Sequence, residues 1–219
     1  MTEMTADIKW MWKNELYTTK SAPEELAYYE RTAKDYEPEF RRNLKYCGPE
    51  VCMQSLLDCE QQFGFTVPRN CRVLDVGAGT GLSGEALRRA SFNGQIDALE
   101  PSDNMFSHAQ SKHIYSHRYT DLILPNKETS VPSCSYDLVI SIAVFNTRST
   151  TSDCLSEVTR MAKHGGYLSI YFNKIHWDQG CFKDRLLELV AEKHVQILSL
   201  EYKPYYEGNV AVSFVLKKL

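Results

Sequence analysis

The run Val73-Leu74-Asp75-Val76-Gly77-Ala78-Gly79-Thr80-Gly81 has residue types and spacing that can do chemistry. Three glycines at alternate positions let a backbone turn tightly and approach a ligand with no Cβ in the way. A helix starting just after them offers unpaired N–H groups to an anionic or polar group. Two readings fit this loop. Gly79-Thr80-Gly81-Leu82-Ser83-Gly84 matches the G-x-G-x-x-G dinucleotide fingerprint, with Glu100 at about the right distance to hold a ribose. Against it, the glycine that directly follows the strand is Gly77, not Gly79. Asp75 also sits near the strand end, where a carboxylate repels a pyrophosphate and attracts a ligand carrying an amine and a sulfonium. Other chemistry-bearing residues say less. His108, His113 and His117 have no acidic or cysteine partner to complete a metal set, so no metal is expected. His176 is of the type that serves as a general base near neutral pH, but a lone loop histidine is more often simply solvated. No residue is assigned as catalytic.

The elements that position these residues read as a helical first part, residues 1–68, followed by alternating strands and helices. Ile8, Met11, Trp12 and Leu16 share one helical face. Ser21 and Pro23 start a second helix that should end near Glu37, before Pro38. Cys52, Leu56, Cys59 and Phe63 mark a third, ending near Gly64. Strands are expected at 72–76, 96–99, 115–120, 136–142, 166–172, 196–202 and 210–216. Helices are expected at 82–90, 103–112, 152–163 and 182–194. The final two strands lack room for a crossover helix, so they must run antiparallel if they pair. The order is that of a doubly wound α/β sheet, which binds ligands beyond the strand carboxyl ends. Length and composition fit one such domain: 219 residues, 43% hydrophobic and 24% charged. A net charge of −3 disfavours a binder held mainly by nucleic-acid phosphates. No run approaches the roughly 18 apolar residues of a membrane helix, and the start of the chain lacks the pattern of a secretory signal. Seven cysteines without a C-x-x-C pair read as reduced thiols, mostly buried.

Four segments carry a family resemblance. V-L-D-V-G-A-G-T-G resembles the first motif of class I S-adenosylmethionine-dependent methyltransferases. Glu100-Pro101-Ser102-Asp103-Asn104-Met105 resembles their second motif, and Tyr136-Asp137-Leu138-Val139-Ile140 their fourth-strand motif. Met161-Ala162-Lys163-His164-Gly165-Gly166-Tyr167-Leu168 is similar to their leader into strand five, with His164 where a proline is usual. The antiparallel ending also fits. Upstream, Tyr28 to Glu37 resembles the helix that precedes many type 11 small-molecule methyltransferases.

The resemblance implies a seven-stranded Rossmann-like sheet with an antiparallel last strand. It implies a single domain, with residues 1–68 as a helical lid and 69–219 as the S-adenosylmethionine-binding core. Glu100, beside Pro101, would accept hydrogen bonds from the ribose hydroxyls. Asp75 would orient the loop and attract the methionine amino group, and Gly77, Gly79 and Gly81 would pass close to the ligand. Met105 would pack on the adenine, or else belong to the core. Asp121 would stand near the adenine amino group with Leu122 beside the ring, and Ile142 and Ala143 near the methionine end. Tyr29 and Tyr36, with Tyr28, would close over the cosubstrate or simply dock their helix. Phe145, Asn146, Tyr171, Asn173, His176 and Trp177 are candidate acceptor walls. Ala143-Val144-Phe145-Asn146 lacks the N/D-P-P-Y/F pattern of methyltransferases acting on bases. The expected activity is methyl transfer to a small molecule by a cytoplasmic, metal-free monomer without nucleic-acid or membrane partners. The alternatives are an inactive S-adenosylmethionine-binding adaptor and an NAD-dependent oxidoreductase.

Overall fold

The computed structural model describes residues 15–16, 18–206 and 208–219. The first expected helix lies outside them apart from its end: Glu15, Leu16 and Thr18 are helical. Helix α1 spans Ala22–Glu37, with the Ser21 hydroxyl accepting the Glu24 N–H at its start. A proline in the first turn and the acids Glu24 and Glu25 suit the positive end of the helix dipole.

Pro38 does not end this segment. The chain continues through a π-helical stretch, Pro38–Asn43, in which the Leu44 N–H donates to the Glu39 carbonyl five residues back at 3.1 Å. Proline has a helical φ, here −54°, and its missing donor and bulky ring are tolerated where a new helical register begins. Helix α2, Gly48–Phe63, ends at Gly64 with φ 69°, a left-handed cap that glycine adopts without strain.

The sheet comprises β1 (Val73–Val76), β2 (Ile96–Leu99), β3 (His117–Tyr119), β4 (Tyr136–Ile142), β5 (Ala162–Asn173), β6 (Val195–Pro204) and β7 (Val210–Lys218). Their order is β3-β2-β1-β4-β5-β7-β6, with β7 antiparallel to both neighbours. Helices α3 (Leu82–Arg89), α4 (Asp103–Ser111), α5 (Cys154–Met161), α6 (Lys174–Gln179) and α7 (Phe182–Ala191) connect the strands. β5 starts earlier than expected. Ala162 pairs with Tyr136, and the register shifts between Tyr136 and Leu138, so the predicted end of the preceding helix joins the sheet.

Two cores cover the two faces. Leu138 and Ile140 pack with Leu56 of α2 and Leu87 of α3, while Val139 packs with Leu155 of α5 and Leu186 of α7. From β1 the chain builds outward to β2 and β3, then returns to place β4 on its other side. That reversal opens a crevice at the carboxyl ends of β1 and β4. The described cysteines are all unpaired, and Cys134 and Cys181 are exposed. No described helix is long and apolar enough to cross a membrane.

Candidate functional site

A cleft of about 140 Å³ lies at this crevice. Ten of the twelve residues singled out from the sequence line it: Tyr29, Tyr36, Gly77, Gly79, Glu100, Pro101, Met105, Asp121, Leu122 and Ile142. The other two stand behind it. Asp75 is fully buried, and its Oδ2 accepts from the Ser83 hydroxyl at 2.5 Å and the Tyr115 hydroxyl at 2.6 Å. Gly81 caps α3 with φ 90° and packs on Ala109.

The loop residues are held where a ligand can approach backbone. Gly77 has φ 70°, and a Cβ there would stand 2.2 Å from Val144. The Glu100 carboxylate accepts the Gly79 N–H and the Ser102 N–H, each at 2.8 Å. Burial pushes its pKa up to about 7, against the lowering effect of those two N–H groups. Burial likewise lifts Asp75 to about 6. Asp75 Oδ1 has no hydrogen-bond partner, a buried acceptor with spare capacity. Asp121 Oδ2 accepts from Ser130. A cleft-lining acid with open lone pairs, a glycine cradle and an unsatisfied acid behind it would fit a polar ligand carrying a ribose and an amine.

Helix α1 roofs the cleft, tied down by acids that face cations and N–H groups of the core. Glu25 is 7% exposed. It pairs with Arg148 at 2.5 Å, accepts from the Ser149 hydroxyl, and meets the Asn146 amide at 3.3 Å, clamping the loop after β4. Glu30 accepts the Asp103 and Asn104 N–H groups at the start of α4. Glu37 pairs with Lys112 at 2.6 Å. Glu25 was not distinguishable in the sequence from an ordinary first-turn acid, because its partners lie more than a hundred residues downstream.

A second chamber of about 340 Å³ adjoins the first, sharing Tyr29, Tyr36, Ala143 and Asn146. Ala143 sits between them with φ 63°, a conformation L-residues adopt at a cost. Phe145, Asn173 and His176 line this chamber as candidate walls; Tyr171 and Trp177 instead lie buried. Burial and then Arg148 lower the His176 pKa to about 4, so its imidazole is neutral near pH 7 and a weak base. Glu39, Tyr205 and Tyr206, also in the wall, carry no sequence motif. Among the described residues no group of three or more His, Cys, Asp or Glu is arranged to hold a metal ion.

Residues 74–170 match a family model described as "Methyltransferase domain", type 11. A TehB-like S-adenosylmethionine-dependent methyltransferase from Corynebacterium glutamicum has the same fold, with a TM-score of 0.55 and 19% identity. That likeness covers 88% of this chain and 99% of that one. Residues 74–170 thus match a methyltransferase domain, inside a fold that a solved S-adenosylmethionine-dependent methyltransferase shares.

Among proteins it is similar to Methyltransferase-like protein 27 of Homo sapiens, at 26% identity over 147 residues, 67% of this chain and 57% of that protein. It is also 30% identical to Arsenite methyltransferase of Mus musculus over 128 residues, 52% of this chain and 34% of that protein. The chain thus spans about half the length or less of these relatives.

Proposed function

We propose that the chain transfers a methyl group from S-adenosylmethionine, held in the first cleft, to a small-molecule acceptor held in the second chamber. The adjacency of the two cavities carries this reading, since both are bordered by Tyr29, Tyr36, Ala143 and Asn146. When bound, S-adenosylmethionine supplies an electrophilic methyl on a sulfonium, displaced in line by an acceptor lone pair as the carbon–sulfur electrons pass to sulfur.

The chain's own task is to bind, align and exclude water. Glu100 accepts the ribose hydroxyls with the lone pairs its two backbone N–H partners leave open. Pro101, Met105 and Leu122 pack against the adenine, and Asp121 faces its amino group. Gly77, Gly79 and Ile142 border the methionine end. Asp75 and Gly81 act from behind the loop, fixing the start of α3 on which that loop turns. Tyr29 and Tyr36 close the roof, in a lid read as residues 1–68, of which 1–14 and 17 lie outside the described residues, over a core of 69–219. Proximity and alignment of this kind contribute about 7–11 kcal/mol of barrier lowering.

A small acceptor is supported by the bounded chamber and by the small substrate in the name of the arsenite relative. The loop after β4 lacks the motif of base methylation, so nucleic acid is not the proposed partner. The reading is of one domain acting as a monomer without a metal.

Calorimetry with S-adenosylhomocysteine tests it. Micromolar binding is expected, weakened by about tenfold or more in Glu100→Ala, since hydrogen bonds to an ionised acceptor contribute about 1.5–3 kcal/mol. Unchanged affinity in that variant would sink the site assignment.

A further inference from the structure

The second chamber has a chemical character that points to its occupant. Its wall is aromatic: Tyr28, Tyr29, Tyr36, Phe40, Tyr205 and Tyr206. Tyr36 stacks on Phe40 with centroids 4.3 Å apart, Tyr29 meets Tyr36 edge-on at 6.3 Å, and Tyr205 and Tyr206 are 4.9 Å apart. Such rings attract a cation through their negative faces.

The charges in the wall have the same bias. Arg148 is engaged by Glu25, with its Nε 2.7 Å and its Nη2 2.5 Å from Oε1. His176 is neutral at physiological pH. That leaves Glu39, which is 1% exposed. Its Oε2 accepts the Asn43 amide at 2.6 Å, while Oε1 has no hydrogen-bond partner. Among the described residues no Lys, Arg or His forms an ion pair with it. A buried carboxylate with no counter-charge among the described residues is unfavourable, and a ligand can supply one. Glu39 lies in the π-helical stretch, a register shift that recurs at functional sites.

We infer that the second chamber selects an acceptor bearing a cationic amine, whose ammonium pairs with Glu39 while its apolar part lies against the rings. This rests on the methyl-transfer reading above. The ammonium is the anchor and not the nucleophile, because a protonated amine has no lone pair to attack a methyl group. The atom that is methylated is therefore a second group on the same molecule.

Three matched probes test this: 2-phenylethylamine, 2-phenylethanol and phenylacetate, each titrated into the protein saturated with S-adenosylhomocysteine and followed by ligand-observed NMR. The amine is expected to bind about tenfold more tightly than the alcohol, and the carboxylate most weakly. Glu39→Gln should bring the amine level with the alcohol, while Glu39→Asp keeps the preference. An alcohol or carboxylate binding as well as the amine overturns the inference. So does amine binding too weak to detect at millimolar concentration, or a preference that survives Glu39→Gln. Should Glu39→Gln fail to fold, the ranking in the unaltered protein decides. Binding of S-adenosylhomocysteine alone separates the two readings. Its absence removes the methyl-transfer reading, whereas intact binding without an amine preference removes only the amine anchor.

Discussion

Glu100 holds its proton up to about pH 7 because burial penalises the carboxylate more than two N–H donors favour it. The sign of the resulting pH dependence follows. Ribose hydroxyls and the ligand's ammonium both favour the ionised form, so binding below that pKa must release a proton. Affinity for S-adenosylhomocysteine is therefore expected to rise with pH, by up to about tenfold per unit, and to level off above the pKa. Asp75, lifted to about 6, adds a second inflection lower on the same curve. Calorimetry in buffers of different ionisation heat measures the proton directly, and Glu100→Gln should remove the upper inflection. Affinity that does not vary between mildly acidic and neutral pH would contradict the assignment. At this scale the place of the acid at the end of β2 was legible, because a glycine loop one strand away marks the crevice it faces. The direction of Asp75 was not. All four residues of β1 are buried, so no alternation tells which side chain points toward the crevice.

Helix α1 was legible as a helix, since its Ser-x-Pro start and its acids state where it begins. What it covers was not, for the contacts of Glu25 are made with residues on a loop far along the chain. The π-helical stretch was missed for a related reason: proline reads locally as a stop, yet the backbone needs only a helical φ and a position where the absent donor is not required. The Glu25 clamp makes a specific expectation. Glu25→Ala removes the acceptor that Arg148, Ser149 and Asn146 share, and losing hydrogen bonds to a charged group costs about 1.5–3 kcal/mol. Amide exchange in α1 should accelerate by about thirty- to a hundredfold, with β1 and β4 unaffected. Equal protection of α1 in both proteins would show that the lid is held by other contacts.

For the whole molecule, the alternation of strands and helices and the antiparallel end of the sheet were the most legible properties. A crossover-free connection at the end of the chain demands an antiparallel pair, and the alternating strands and helices before it leave few topologies. The cavities were not legible, since the second chamber draws residues from α1, the π-helical stretch, the loop after β4, the end of β5 and α6, and the turn before β7. The molecule is also held by two kinds of force. The sheet and its helices are joined by buried apolar side chains, whereas the ties of the lid to the core include Glu25 to Arg148, Glu37 to Lys112 and Arg41 to Glu85. Dissolved ions weaken the more exposed of these ties, above all Arg41 to Glu85, and leave the apolar contacts intact, with a Debye length that shrinks to about 3 Å at 1 M. Between dilute and about half-molar sodium chloride, stopped-flow release of S-adenosylhomocysteine should quicken several-fold while the melting midpoint hardly moves. A release rate indifferent to salt would refute this. The ionic composition of its surroundings would thus set how long this protein keeps its cosubstrate enclosed, without any change in the fold.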